Sequence, residues 1–154
     1  MITEITASEV IEVLHGLGYR ASFEYEEQRR GVISSASHGR EWWIYLGDVS
    51  EDEPTQVLRF QFFMFVNPIA YPVGKICNEY NLLHSFSSAH YSLDDDGSTN
   101  GEAMLFLGYA VSCTGGVSVE WLIDQIEKWD ESTVAFHELI VENEESDIEG
   151  DFLI

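Results

Sequence analysis

The chain has 154 residues and a formal net charge of −21, from 28 acidic residues against 7 Lys and Arg. That length fits one domain with its own core, and a hydrophobic content of 45% excludes a disordered chain. A surface this acidic repels phosphate backbones and anionic lipids, so we predict no nucleic-acid partner and no membrane partner.

Targeting signals and cysteines predict the compartment. No apolar run approaches the ~20 residues that cross a bilayer, and residues 1–5 lack the basic and apolar regions of a secretory signal. Cys77 and Cys113 lie in apolar contexts without a short spacing between them. Two such cysteines are typical of reduced, buried thiols, so the sequence predicts a cytoplasmic protein.

The first predicted element is a helix that begins after Thr6. Thr6 and Glu9 form a capping-box pattern, and Gly18 supplies a left-handed stop after the apolar stripe ends. Apolar and polar residues then alternate from 19 to 26, which predicts a half-buried strand. Turn signals at 28–31 and 37–39 separate this strand from two more, at 32–36 and 40–46.

The strongest strand pattern covers residues 57–66, and we expect Asn67-Pro68 to end it because proline cannot donate to a ladder. A helix is predicted from Pro72, then two strands at 85–93 and 102–112, then a helix capped by Ser118. Residues 1–141 are predicted to form a single domain. Residues 142–154 are acidic and lack periodicity, so we expect a flexible tail there.

The order of these elements is α-β-β-β-β-α-β-β-α. Because short turns connect the strands, the order predicts an α+β fold: a mainly antiparallel sheet with helices packed on one face.

Signals for metal binding are weak. Asp94-Asp95-Asp96-Gly97 invites an EF-hand interpretation, but neither register of the loop places Glu at position 12, where the site needs a bidentate carboxylate. An exposed hairpin turn explains the segment better, and weak calcium binding stays open. The five histidines form no metal-binding pair, so the sequence predicts no metal site and no cofactor.

Catalytic patterns are equally weak. Cys77 and His84 are seven residues apart on one predicted helix, about 10 Å at ~1.5 Å per residue, which is too far for a nucleophile and its base. Gly115-Gly116 precedes a helix without the lysine of a phosphate loop. The carboxylates between Asp48 and Glu53 lie in a polar loop, where water solvates them. We therefore predict no catalytic residue, and a protein that is not an enzyme.

In two strands, apolar residues do not alternate with polar ones. This pattern indicates that something covers the second face of the sheet. Aromatic and aliphatic residues occupy both faces at 42–46 and 62–66, where a sheet with one covered face should show polar residues on the other. The C-terminal helix, a second copy of the chain or a client protein could each cover this surface. The residues predicted to bind protein are Trp42, Trp43, Phe63 and Phe65.

The segment from Lys75 to Trp129 resembles the YbjN family, bacterial proteins described as putative sensory transduction regulators. The resemblance lies in KICNEYNLLHSFSSAHYSLDDDGS and in EAMLFLGYAVSCTGGVSVEWLIDQIEKW, and Leu17-Gly18-Tyr19 fits the same pattern. It implies a fold like that of type III secretion chaperones, which are often dimeric and bind partner proteins. The family offers no catalytic residue to transfer.

The sequence thus predicts a non-enzymatic regulatory module that binds proteins, a homodimer with a client of unknown identity. Client binding like that of a chaperone, through an apolar sheet face, would fit the resemblance. The alternative is a small-ligand sensor, or an enzyme, that uses an aromatic pocket near Trp42, Trp43 and Tyr45.

Overall fold

The computed structural model describes residues 6–27, 30–49, 57–69, 73–93, 103–113 and 117–152. The described elements follow the predicted order. They are α1 (Ala7–Gly16), β1 (Arg20–Glu27), β2 (Arg30–Ser37), β3 (Arg40–Val49), β4 (Val57–Ile69), α2 (Val73–Leu83), β5 (Ser88–Leu93), β6 (Ala103–Ser112) and α3 (Val119–Phe152).

The six strands form one open antiparallel sheet in the order β1-β2-β3-β4-β6-β5. The first four strands are neighbours in both sequence and space, as expected for strands joined by short turns. The α+β prediction is confirmed.

The chain groups into two compact units. Unit 1 comprises residues 1–64 and 109–130, and unit 2 comprises residues 65–108 and 131–154. Strands β4 and β6 and helix α3 each contribute residues to both units. The prediction of a single domain over residues 1–141 stays a prediction.

The core of unit 1 lies on one face of β2, β3 and β4. Ile44 pairs with Ile33 on one side and Phe62 on the other, so the three side chains share that face, and all are fully buried. Helix α3 places Trp129 on the same face, with its ring 5.5 Å from that of Phe62. Helix α1 buries Val10 along with its neighbours on the predicted apolar stripe.

The predicted hydroxyl caps at Thr6 and Ser118 both form at the helix starts in unit 1, whereas Glu9 Oε2 has no hydrogen-bond partner within the described residues. Thr6 Oγ1 accepts a hydrogen bond from the Glu9 backbone N–H at 3.2 Å, and Ser118 Oγ accepts one from Trp121 N–H at 3.0 Å. Gly18 has φ +91°, the left-handed conformation that favours glycine at a helix end. These local signals therefore fix where α1 and α3 begin and where the chain leaves α1.

Unit 2 packs α2 against β5. Asn81 holds the strand with two bonds to the backbone of Ala89: its amide donates to the carbonyl at 3.0 Å, and its side-chain oxygen accepts from the N–H at 2.8 Å. Tyr80 is fully buried, its ring lies 5.3 Å from that of Phe136, and its hydroxyl bonds Ser87 Oγ at 2.7 Å. A buried phenol needs such a partner, and here it has one.

Several boundaries differ from the sequence predictions, among them those of β4, β5 and α3. Strand β4 continues to Ile69, so Pro68 does not end it: proline fixes φ near −65°, removing one donor but leaving the backbone extended. Strand β5 begins at Ser88, three residues later than expected. Helix α3 continues to Phe152, so the backbone of residues 142–152 is helical, although its lack of apolar periodicity indicated a tail.

Both cysteines are buried and free. Burial raises the pKa of the Cys113 thiol to about 12, although a backbone hydrogen bond from Phe60 opposes the rise, and burial also raises the pKa of Cys77. Because the thiolate is the nucleophile, we expect Cys113 in a Cys77→Ser variant to react with Ellman's reagent at pH 8 on the order of 100-fold more slowly than in guanidinium. Equal rates in the two conditions would contradict the buried placement.

Candidate functional site

The face of unit 1 opposite the core carries the candidate site. Strand residues alternate between faces, so the partners of Trp43 in the register point away from the buried Ile44 and Phe62. We call this surface the open face. Its members, all half-buried or exposed, are Arg20, Ser22, Val32, Ser34, Ala36, Glu41, Trp43, Tyr45, Arg59, Gln61 and Phe63.

One row of the open face crosses four strands and changes character half-way. The register places Ser22 beside Ser34, Ser34 beside Trp43, and Trp43 beside Phe63. The two hydroxyls lie 3.1 Å apart, and the two aromatic rings stack with centroids 5.7 Å apart at 18°. The row is therefore low over β1 and β2, where its side chains are short and polar. It is high over β3 and β4, where its side chains are large and aromatic.

A second row lies beside the first and carries charge. Arg20 pairs with Ala36, which pairs with Glu41, so a guanidinium and a carboxylate flank a small residue, two strand spacings or about 10 Å apart. Arg59 lies at the far end of the face, on β4. The three charged side chains are exposed, and within the described residues none of them forms an ion pair.

A cleft of about 540 Å³ opens over the low half of the open face. Its volume lies in the range of small-molecule sites. Beyond the open face, the cleft is also lined by His15 of α1 and by Tyr19, Ala21 and Ser35. The open-face residues in its lining are Arg20, Ser22, Ser34, Ala36, Glu41 and Trp43.

The four residues predicted to bind protein fall in three different environments. Trp43 and Phe63 form the stacked pair of the open face. Trp42 is in the core with 0% exposure, because strand alternation turns it to the opposite face from Trp43. Its place among the binding residues is therefore corrected: a fully buried indole presents no surface to a partner.

Phe65 belongs to unit 2, where it is 43% exposed. Its ring meets that of Phe106 edge-on, with centroids 5.0 Å apart. His90 pairs with Phe106 in the register and is also exposed. Binding of protein by Trp43, Phe63 and Phe65 stays a prediction.

A polar cluster around Asp130 was not foreseen from the sequence. Its carboxylate accepts hydrogen bonds from the Tyr19 hydroxyl at 3.1 Å and from Ser37 Oγ, and His38 Nε2 lies 3.3 Å away. Trp42 Nε1–H donates to Ser37 Oγ at 2.9 Å, which ties the cluster to the core. Asp130 is more than 90 positions from the β2–β3 turn, so no local pattern could reveal this contact.

The cluster raises the pKa of Tyr19 to about 12, through burial first, then the charge of Asp130 and its hydrogen bond, then the charge of Glu127. Ser37 bonds to Asp130 and to Trp42, and no bond between Ser37 and His38 is among the contacts the structure describes. The arrangement lacks the serine–histidine contact that nucleophilic catalysis requires. The contacts of Ser37 and His38 with Asp130 join the β2–β3 turn to α3.

Other sequence candidates fall outside what can be placed. The segment 94–101, Gly115-Gly116 and the side chains of residues 48–53 lie outside the described residues. Within the described ranges, no three or more His, Cys, Asp or Glu residues are grouped to hold a metal ion. Within those ranges too, no helix is long and apolar enough to span a bilayer.

The sequence predicts only part of the open face. Alternation marks Arg20 and Ser22 as outward on β1, but it does not say which residues of β2 and β3 lie beside them. The missing signal is the register, which the two-residue turn between Ser37 and Arg40 sets.

A family model described as "YbjN: Putative bacterial sensory transduction regulator" matches residues 6–142. The chain belongs to the YbjN family. A solved structure described as "Crystal structure of YbjN, a putative transcription regulator from E. coli" is similar over 88% of this chain and 91% of that chain. The TM-score is 0.61 at 14% identity, which shows a shared YbjN fold. No curated protein matches the sequence.

Proposed function

We propose that this YbjN-family chain is a non-enzymatic regulatory module that acts by binding a protein through its open face. The family description as a regulator supports the regulatory part. The observation that carries the binding part is the stacked pair of Trp43 and Phe63, half-buried on a face opposite the core.

The aromatic pair supplies the apolar centre of such a contact. Each aromatic side chain covers ~150–250 Å² when buried, and aromatic residues are enriched at the centres of interfaces. The pair also has a structural role, since cross-strand aromatic pairs stabilise sheets by roughly 0.2–1 kcal/mol. Half-burial leaves a share of both rings for a partner.

The charges of the open face indicate what kind of partner fits. Arg20 and Arg59 are exposed and make no ion pair within the described residues, in a chain with 28 acidic residues. Desolvated guanidinium groups need carboxylates. The partner is therefore a protein surface with acidic and apolar side chains. A client bound as by a type III secretion chaperone fits this description, in the cytoplasm and without nucleic acid or membrane.

Affinity capture from the source bacterium tests this function. The bait proteins are the wild type, Phe63→Asp on the open face, and Leu82→Asp, which changes a residue 86% exposed on α2 in the same way. We expect Phe63→Asp to lose proteins that the wild type and Leu82→Asp both retain, since a buried unpaired carboxylate disfavours the contact. Far-UV circular dichroism confirms that each bait is folded. Identical captured sets from all three would overturn the proposal.

A second candidate is the small-ligand sensor, and the cleft favours it. The sequence predicted an aromatic pocket near Trp42, Trp43 and Tyr45; Trp43 lines the cleft, whereas Trp42 and Tyr45 do not. Arg20 and Glu41 in the lining match the carboxylate and ammonium groups of a free amino acid. Titration of tryptophan fluorescence with the common amino acids tests this candidate. Saturable binding that Arg20→Ala weakens at least about tenfold supports it, and an unchanged signal excludes it.

A further inference from the structure

We propose that the open face packs against the open face of a second copy of this chain, forming a symmetric dimer. The two-fold axis runs parallel to the strands, between β2 and β3. The inference rests on the proposed function, because the second copy occupies the surface that the client binds, so the two bind in competition. Three observations carry it: the shape of the face, the placement of its charges and its area.

The first observation is that the face is complementary to itself in shape. The row Ser22, Ser34, Trp43, Phe63 is low over two strands and high over the next two. A two-fold axis between β2 and β3 reverses the order of the strands in the second copy. The high half of each copy therefore lies over the low half of the other. Trp43 of one copy then lies over Ser34 of the other. Phe63 likewise lies over Ser22.

The cleft can accept the aromatic ridge, formed by Trp43 and Phe63, of the other copy. Its lining includes the low half of the face, with Trp43 at its side, and its whole volume, which also extends to His15 and Tyr19, is about 540 Å³. An indole side chain from a second copy fits a space of this size, and the hydroxyls beneath it keep their own hydrogen bond. Each ridge therefore fills the cleft of the other copy, and both contacts form by the same symmetry operation.

The second observation is that the charges are complementary under the same axis. In the row Arg20, Ala36, Glu41, the axis brings Glu41 of the second copy opposite Ala36, one strand spacing of ~4.8 Å from Arg20. The long guanidinium side chain spans that offset across sheets packed ~10 Å apart. Symmetry makes the pair twice.

The charge of the whole chain opposes dimerisation less here than it would on an acidic surface. Among the side chains that the structure describes, the open face carries two arginines and one glutamate, against a net charge of −21 for the chain. Acidic groups farther away are screened beyond ~8 Å at physiological salt. For the described side chains, two copies can therefore approach through the open face without placing like charges in contact.

The third observation is area. Four strands at ~4.8 Å and three side-chain rows at ~6.8 Å give a footprint of roughly 400 Å² per copy, and side-chain relief raises the accessible area. The total for two copies is on the order of 1,000 Å², which is at the lower limit for a specific interface. We therefore expect a dimer with a dissociation constant in the micromolar range rather than an obligate one.

Sedimentation equilibrium with charge-reversal variants tests the dimer. We expect Arg20→Glu and Glu41→Arg each to weaken dimerisation at least about tenfold, because each places like charges together. The double variant Arg20→Glu/Glu41→Arg should return to within about threefold of the wild type, because it restores opposite charges. Lys75→Glu and Glu120→Arg, exposed on α2 and α3, are the matched controls and should leave the dimer unchanged.

Glu41→Arg separates the proposed contact from a general charge effect. It changes the net charge from −21 to −21 + 2 = −19, so weaker overall repulsion alone would strengthen association. The proposed contact requires the opposite result. Circular dichroism confirms that the variants are folded.

Two results would overturn the dimer. One is a wild-type chain that stays monomeric at several hundred micromolar, and the other is a double variant that associates no better than the single ones. The proposed function fails separately, in the capture experiment: a monomeric chain that loses partners through Phe63→Asp refutes the dimer and keeps the function.

Discussion

Trp42→Ala is expected to lower the free energy of unfolding by about 3–5 kcal/mol, while Trp43→Ala, one position along the same strand, should lower it by about 1 kcal/mol. Trp42 is fully buried, and its ring meets Tyr19 at 5.8 Å and Trp129 at 6.4 Å. Truncation leaves a cavity and removes the bond to Ser37. Trp43 loses its stacking with Phe63 on a face that water already reaches.

Urea denaturation followed by circular dichroism measures both changes, at a protein concentration where the wild type is monomeric. Each tryptophan is the other's control, because the substitution, the strand and the lost side-chain volume are the same. Comparable losses for the two variants would contradict the assignment of one face to the core and the other to solvent.

Asp130→Ala should both destabilise the chain and lower the pKa of Tyr19. The carboxylate accepts bonds from Tyr19 and Ser37 and lies beside His38, so its loss is expected to cost about 1–3 kcal/mol. The pKa of Tyr19, about 12 in the wild type, should fall but stay above its ordinary value of 10.0, because burial is the larger cause of the rise.

Titration of tyrosinate absorbance measures this pKa, with Tyr19→Phe identifying which signal belongs to Tyr19. The pKa is raised on folding, so the stability that Tyr19 contributes is fully present below pH 10 and is lost as the pH rises towards 12. Asp130→Ala should lower the upper end of this pH range, because it lowers the pKa of Tyr19 in the folded chain. An unchanged Tyr19 titration in Asp130→Ala would show that the carboxylate does not act on the phenol.

Much of the fold could be predicted because its signals are local. Thr6, Gly18 and Ser118 mark helix ends through bonds and backbone angles within a few residues of themselves. Residues two apart in a strand share a face, and Phe60 and Phe62 of β4 are both fully buried. Such patterns need no knowledge of distant partners.

The choice between Trp42 and Trp43 could not be made from the sequence. Both are large and apolar, and alternation says only that they point to opposite faces. The deciding contact is Trp129, far along the chain, which packs on one face of the sheet and so makes Trp42 the core residue. Long-range packing therefore divides a pair that local sequence treats as equivalent.

The charged row was hidden for a different reason. Arg20 and Glu41 belong to strands that are not neighbours, and they share a row only through Ala36 between them. That placement depends on two registers at once, and a slip of one residue in either would move the side chains to the opposite face. Residue type alone marks them as outward, but not as close together.

The tight turn between β2 and β3 has a consequence for how the chain folds. His38 has φ +53° and Gly39 has φ +77°, so both turn residues are left-handed, as in hairpins whose twist matches their strands. Such hairpins form within ~1–10 μs from contacts close in sequence. We expect residues 30–49 to pair first and to present Ser37 and Trp42 as a template. Asp130 can bond Ser37 only after α3 has been synthesised and has packed against this hairpin, which is long after the turn is synthesised.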